Sequence, residues 1–339
     1  MGGTIRDVAK KAGVCISTVS NALNNKWYVS ATTKARILKA AKKLDYHPSG
    51  IARSLVRRKT ENIGFILYRN PERLFSNPFY SRIVDGVEEQ VLTQGYNLLI
   101  SAFDIGSKDQ ALPKLIRERN VDGLILAGAI SDDFISVLKK EGFPLVLVDN
   151  YLRNEKINCV VIDNTHGAVD AVEYLFKLGH KKIGFLYGPP LHISNQERLK
   201  GYKLRLDELG IKYDKSIVAQ GDNTIEGGYN AMQKLLEKTS GITAVFACND
   251  DMAIGAMRAI REKGLEIPND ISLMGFDDIE MAAHTQPPLT TIRVPKEEMG
   301  RVAATMLIGE LEGVGQKAGL RVVMPTELVI RQSCAPNKK

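Results

Sequence analysis

The chain is poor in the signatures that mark enzymes, exported proteins and membrane proteins. None of its apolar runs nears the ~18 residues of a bilayer span. Its opening residues already hold Arg6, Asp7, Lys10 and Lys11, which an export signal would not. A cytoplasmic location is expected. The four cysteines, Cys15, Cys159, Cys248 and Cys334, lie far apart with no Cys-x-x-Cys, which argues for reduced thiols against a disulfide framework or a thiolate zinc site. The five histidines, His47, His166, His180, His192 and His284, share no metal-ligand spacing. Also missing are G-x-x-x-x-G-K-[ST], G-x-S-x-G and H-E-x-x-H. Residues 313–318 formally fit G-x-G-x-x-A, but they follow a helical pattern and precede a strand, the reverse of a dinucleotide-binding context. No metal, cofactor or catalytic centre is expected.

Acid is nearly absent from one end. Residues 1–60 carry 13 Lys and Arg against only Asp7 and Asp45, an excess of +11, whereas the other 279 residues carry 33 bases and 37 acids. The whole net charge of +7 therefore comes from one small segment. A basic module on a mildly acidic body is the footprint of a nucleic-acid binder, because neutralising phosphates releases condensed counterions. A solvated basic face would carry the same charge, so helix geometry must decide.

Thr4 followed by Asp7 is a helix-start signal, and Ile5, Val8, Ala9 and Ala12 continue at helical spacing. Gly13 then suits a tight turn into a second short helix. On that helix Val14, Val19 and Leu23 supply an inward face, while Ile16, Ser17, Ser20, Asn21 and Asn24 fall opposite, a polar surface free of acids. Ser30 caps a third helix with Ile37, Ala41 and Leu44 inward and Lys34, Arg36, Lys39, Lys42 and Lys43 largely outward. The middle helix is presented as a probe.

The run TIRDVAKKAGVCISTVSNALNN, the pair Val29-Ser30 and the run LDYHPSGIARSL resemble the headpiece and hinge of the LacI/GalR bacterial transcription regulators, and the resemblance extends to about residue 331. It implies a small all-α helix-turn-helix headpiece plus hinge helix, followed by a periplasmic-binding-protein-like α/β core of two lobes. The implied limits are 1–47 for the headpiece, 48–60 for the hinge, 61–331 for the core and 332–339 for a tail. Within the core the first lobe takes about 61–161 and 292–320, the second about 162–291 and 321–331. By the same resemblance Ile16, Ser17 and Asn21 face base edges, while Thr4, Thr18, Ser20, Asn24, Tyr28, Ser30 and Thr33 position the sugar-phosphate backbone. Asn21 stands where the family most often has Arg, which suggests an adenine contact in place of guanine. Cys15 stands where a Ser usually caps the recognition helix, so a weaker cap is expected.

Residues 49–59 are too short for a stable isolated helix, since nucleation is costly below ~12–15 residues. In the resembled family two such hinges pair in the minor groove and insert a leucine. Leu55 matches that wedge and Ala52 lines the contact.

From Asn62 onward short apolar runs alternate with amphipathic helices, the pattern of parallel sheets with helices on both faces. A first helix is expected over 82–94 and a strand over 96–100. Gly142, Gly179, Gly210 and Gly264 each follow a helical stretch and precede a new apolar run. Ile63-Gly64-Phe65-Ile66 recurs as Ile183-Gly184-Phe185-Leu186, so two similar lobes are expected to form a cleft beyond their strand ends. Asp149, Asn249, Asp250 and Asp277 sit at such ends, and Phe79 could form an apolar wall. Arg198 lies in the Arg-x-x-Gly-Tyr pattern whose Arg reaches effector in the family. Asn249 and Asp277 are equally placed to cap helices. Asn223 falls where some sugar-responding members have an aromatic, and Ala127 where others have a polar group, which disfavours a hexose stacked on a ring and leaves a polar ring, a sugar acid or a phosphorylated sugar open.

These features point to a ligand-responsive, sequence-specific DNA-binding transcription regulator, most simply a repressor. Its homodimer would hold a near-palindromic double-stranded operator and be switched by a sugar or sugar derivative. A free solute-binding protein accounts for the core alone, and a nucleotide-using enzyme lacks its phosphate loop.

Overall fold

In the computed structural model of the chain, residues 3–23, 27–46, 59–68, 77–103, 112–128, 130–152, 156–315 and 319–338 are described. The chain divides into two compact units, Met1–Glu61 with Asn120–Asp122, and Asn62–Arg119 with Gly123–Lys339.

In the first unit α1 (Ile5–Ala12) opens on a capping box. Thr4 Oγ1 accepts from the Asp7 N–H, and the Asp7 carboxylate accepts from the Thr4 N–H at 2.9 Å. Gly13 ends the helix in the left-handed region, φ 63°, and its N–H returns to the Ala9 and Lys10 carbonyls. Helix α2 (Ile16–Leu23) follows, and α3 (Ala31–Lys43) starts at Ser30, whose Oγ accepts the Thr33 N–H at 3.3 Å. The three helices close on Val8, Ala9, Ala12, Val19, Ala22, Ile37, Ala40 and Ala41, with Val14, Leu23 and Leu44 packed around them. Ala22 is a core position that the spacing of Val19 and Leu23 alone does not reveal. Arg36, Lys39, Lys42 and Lys43 are exposed and Lys34 is half-buried.

The second unit holds two parallel sheets. In the larger, β1 (Asn62–Tyr68), β2 (Asn97–Phe103), β3 (Gly123–Gly128), β4 (Leu145–Val148), β5 (Asn158–Ile162) and β11 (Arg321–Met324) run in the order β11-β5-β4-β3-β1-β2. In the smaller, β6 (Ile183–Tyr187), β7 (Val218–Gln220), β8 (Ala244–Ala247) and β9 (Ser272–Met274) run in the order β7-β6-β8-β9. Strands β3, β4, β5 and β8 are buried along their whole length, as parallel strands covered on both faces must be. The internal echo marks equivalent places: β1 pairs with both β2 and β3, and β6 with both β7 and β8.

Four boundaries differ from the sequence reading. The strand expected over 96–100 runs Asn97–Phe103, and the tail expected from 332 is instead packed into the second lobe, where Ser333 is fully buried and its carbonyl accepts the Leu273 N–H at 2.8 Å. The first long helix begins at Pro78, because the Asn77 side chain accepts the Phe79 and Tyr80 N–H groups and proline fits the first turn. Residues Arg321–Met324, placed above in the second lobe, pair with β5 in the first sheet. Their alternating exposure is that of an edge strand, so the last return to the second lobe comes after Met324. The chain passes between lobes three times: after β5, between β10 (Thr291–Arg293) and the helix Lys296–Leu311, and between β11 and β12 (Glu327–Val329). Antiparallel pairing joins β10 to β12. Among the described residues no helix is long and apolar enough to cross a membrane.

The helices Pro78–Thr93 and Lys296–Leu311 meet backbone to backbone. A Cβ on Gly86 would lie 1.9 Å from the Glu297 carbonyl oxygen, and one on Gly300 would lie 2.1 Å from that of Ile83. Alanine is the better helix former by about 0.5–1 kcal/mol, but overpacking costs roughly 1–3 kcal/mol. Gly86→Ala is therefore expected to lower the urea midpoint; an unchanged or raised midpoint would contradict this packing.

Candidate functional site

Helix α2 turns a continuous polar strip outward. Ile16, 45% exposed, and Ser17 lie on the surface, while Ser20 and Asn21, one turn on, are half-buried. Tyr28 and Thr4 are exposed, Thr18 and Thr33 half-buried. Several hydroxyls in the expected backbone-contacting set already serve the fold: Thr4 Oγ1 donates to Asp7 Oδ2 at 2.7 Å, and Ser30 Oγ donates to Thr33 Oγ1 at 2.8 Å. Asn24, Ala52 and Leu55 lie outside the described residues.

Cys15 occupies the position before α2 with its sulfur 3.1 Å from Ser17 Oγ and 2.9 Å from Thr18 Oγ1. The hydroxyls of Ser17 and then Thr18, with the Thr18 N–H, bring the thiol down to about 7. Sulfur is a weaker acceptor than oxygen, and here it sits against the hydroxyls of two residues in the first turn of α2.

In the second unit a pocket opens where the strands of both lobes end. Asn77, Pro78, Phe79 and Tyr80 enter from the start of the first lobe's helix, and Asp149 follows β4. The second lobe contributes His192, Asn195 and Arg198 from one helix start, Asn249 and Asp251 from another, and Asn223, Asp277 and Ile279 from loops. The structure thus brings together Phe79, Asp149, Arg198, Asn249 and Asp277. It does not bring in Asp250.

Arg198, 4% exposed, is fixed on three sides. Its Nε donates to Asn164 Oδ1 at 2.8 Å, Nη1 donates to the Cys248 carbonyl, and Nη2 lies 3.2 Å from Asp277 Oδ1. The guanidinium also lies 3.8 Å from the centre of the Phe276 ring. Asp277, 7% exposed, is held at φ 111°, a conformation side chains avoid. Burial pushes its carboxyl up, while Arg198 and Lys296 pull it down. Its Oδ1 is ion-paired but makes no aligned hydrogen bond. A buried acceptor in that state has unused capacity.

Asp149 is buried too. Its Oδ2 accepts the Tyr80 hydroxyl at 3.0 Å, and desolvation, against the pull of Arg198 and Tyr80, raises it to about 6. Asn249 fills the capping role: its Oδ1 accepts the Met252 N–H at 3.0 Å, and its Nδ2 donates to the Asn223 carbonyl at 3.1 Å. Asp250 is fully buried behind the pocket, accepting from Thr291 Oγ1 at 2.6 Å and the Ile279 N–H at 2.9 Å. Its neighbour Asp251 takes the pocket side, since successive residues at a helix start point about 100° apart. Tyr80, His192 and Asn195 were not identified from sequence. Asn195 donates to the Pro189 carbonyl and to Asn223 Oδ1; the Gly188-Pro189-Pro190 run before it is the local signal of a helix entrance there.

Comparison with known proteins places this geometry. Residues 4–49 match the model of the bacterial regulatory proteins of the lacI family, and residues 172–334 that of a periplasmic binding protein-like domain. The chain is 34% identical to the HTH-type transcriptional regulator CelR of Thermobifida fusca, over 97% of this chain and 98% of CelR. It is 36% identical to the HTH-type transcriptional repressor CytR of Escherichia coli, over 97% of this chain and 96% of CytR. Among solved structures it resembles the Lac repressor dimer bound to operator and the anti-inducer ONPF, with a TM-score of 0.86, 28% identity and 99% and 100% of the two chains covered. It also resembles a CelR–cellobiose complex, with a TM-score of 0.76, 32% identity and 98% and 99% covered. The chain belongs to the LacI family, as a ligand-responsive DNA-binding regulator of transcription and not an enzyme.

Proposed function

We propose that the chain acts in the cytoplasm as a homodimeric repressor that grips a near-palindromic operator and changes that grip when a neutral sugar enters the pocket. In the headpiece, 1–47, Ile16, Ser17 and Asn21 read base edges. Thr4, Thr18, Ser20, Asn24, Tyr28, Ser30 and Thr33 hold the sugar-phosphate backbone. In the hinge, 48–60, Ala52 lines a minor-groove contact into which Leu55 wedges. Two copies are needed because one small headpiece reads too few base pairs for useful specificity.

Arg198, Asp277, Asp149 and Asn249 hold the sugar in the core, 61–331, and Phe79 walls it. The observation that carries this is Asp277, a buried carboxylate that lines the pocket and whose Oδ1 is ion-paired with Arg198 without an aligned hydrogen bond. Three carboxyls, Asp149, Asp251 and Asp277, meet one guanidinium there, so hydroxyl donors suit the pocket and phosphorylated or acidic sugars do not. CelR is described with cellobiose and an Enterococcus faecium relative with ribose, which makes unphosphorylated sugars the first panel to try. Closure of the lobes on the sugar would shift the population of states in which two hinges fold on DNA. The shift is bounded by the sugar's preference for one closure.

Selection from random duplexes tests the headpiece roles. Asn21→Arg is expected to move the preferred base from adenine to guanine at one half-site position, by ~1–3 kcal/mol. Leu55→Ala is expected to weaken binding on an unchanged site. The same site and affinity for both variants would contradict these roles.

A pH series tests Asp149. Its folded pKa of about 6 exceeds 3.8, so the folded chain prefers the proton. That stabilisation is complete below about pH 4 and is lost as pH rises through about 6. Asp149→Asn should therefore melt higher than wild type at pH 7.5, by a margin on the order of 3 kcal/mol that vanishes toward pH 4. Binding of the panel sugar that stabilises wild type should weaken in the same variant. A margin independent of pH, or unchanged sugar binding, would count against the assignment.

A further inference from the structure

The chain has a single tryptophan, Trp27, and it is 91% exposed. It lies in the segment joining α2 to α3 and is not among the residues that close the headpiece core. Its only ring neighbour among the described residues is Tyr28, itself 57% exposed, met edge to face at 5.7 Å and 83°. Two large aromatics turned to water contribute nothing to a core of valines, alanines and isoleucine, so folding does not account for them.

We propose that Trp27 is a DNA contact: its ring lies on a deoxyribose at the border of the major groove and its Nε1–H donates to a phosphate oxygen. Charge selects this occupant over a protein partner. The indole belongs to a segment of 13 bases and two acids, between an acid-free polar strip on α2 and the exposed Arg36, Lys39, Lys42 and Lys43 of α3. Such a surface attracts a polyanion. An indole matches the backbone of a duplex specifically. It offers one donor and no acceptor, as a phosphate requires, and a flat apolar face that a deoxyribose can cover. The edge-to-face Tyr28 ring limits how far the indole can swing, which reduces the ordering that contact demands. A backbone contact of this kind carries no sequence information, so its loss weakens all sites alike.

This assignment rests on the family's DNA-binding role and deepens it. Because the chain has one tryptophan, the full-length protein reports on the residue directly. Indole emission and acrylamide quenching are followed as a duplex obtained by selection is added, while anisotropy of a labelled duplex gives affinity for wild type, Trp27→Phe and Trp27→Ala. The expected results are ready quenching in the free protein, several-fold protection at saturation, and affinity reduced roughly five- to twenty-fold in Trp27→Ala with no change in the preferred site. Trp27→Phe keeps the flat face without the donor and should fall between. Methylphosphonate scanning should then show one phosphate whose neutralisation weakens wild type but not Trp27→Phe. Bound DNA with an unprotected indole, equal affinity in Trp27→Ala, or an indole already shielded without DNA would overturn the Trp27 assignment alone. No duplex binding by wild type would overturn it together with the reading beneath it.

Discussion

A carboxylate held away from water at the mouth of the second lobe imposes the tightest constraint on this molecule. Asp277 is buried in a strained backbone conformation, and two cations answer it from different parts of the chain. Arg198 approaches from the side, pinned to Asn164 and the Cys248 carbonyl so that it cannot retreat. Lys296 lies below, its Nζ donating to the carbonyls of Asp277, Asp278 and Val294. Removing either cation would strand a buried charge, the kind of loss that costs ~3–5 kcal/mol. Lys296 opens the helix that packs on the first lobe, so the loop that faces the pocket and the segment that crosses between lobes share one set of hydrogen bonds. Asp250 extends this set by tying the β9 loop to Thr291 in the same crossing segment. A sugar that supplied a donor to Asp277 would act on the element that joins the lobes.

The headpiece solves a different problem. Its core is small and built largely from alanine and valine, which brings three short helices close together. Capping then does much of the work of defining ends: the Thr4–Asp7 box, the left-handed Gly13 and the Ser30 cap each satisfy backbone groups that short helices leave open. The same side chains supply hydroxyls to the surface proposed to face DNA. At Cys15 the two demands meet, since the hydroxyls of Ser17 and Thr18 turn toward the sulfur that precedes their own helix.

Local signals in the sequence made much of this legible. Thr4 with Asp7, Gly13 and Ser30 specify ends through hydrogen bonds within four residues, and the apolar runs of β3, β4 and β5 announce buried parallel strands. The pocket residues at strand ends, Asp277 among them, followed from the sheet rule, and Arg198 from the family pattern. What stayed hidden depends on contacts distant along the chain. Nothing local says that Arg321–Met324 pairs with β5, about 160 residues earlier, and not within the second lobe. Nor can two adjacent acids declare which faces a cavity: Asp250 is buried by Gly275 and Thr291, whereas Asp251 is left at the pocket. Tyr80 belongs to the site because Asp149, 69 residues on, accepts its hydroxyl, a pairing no periodicity encodes.

Coupling between pocket and duplex is the claim on which the whole account stands, and thermodynamic linkage gives it a strict form. Isothermal titration of a selected duplex into full-length protein, with and without a saturating sugar that raises its melting temperature, yields one factor. Titration of that sugar with and without the duplex yields another. The account predicts that both factors are the same and exceed about fivefold. Affinities for duplex and sugar that ignore each other would contradict it.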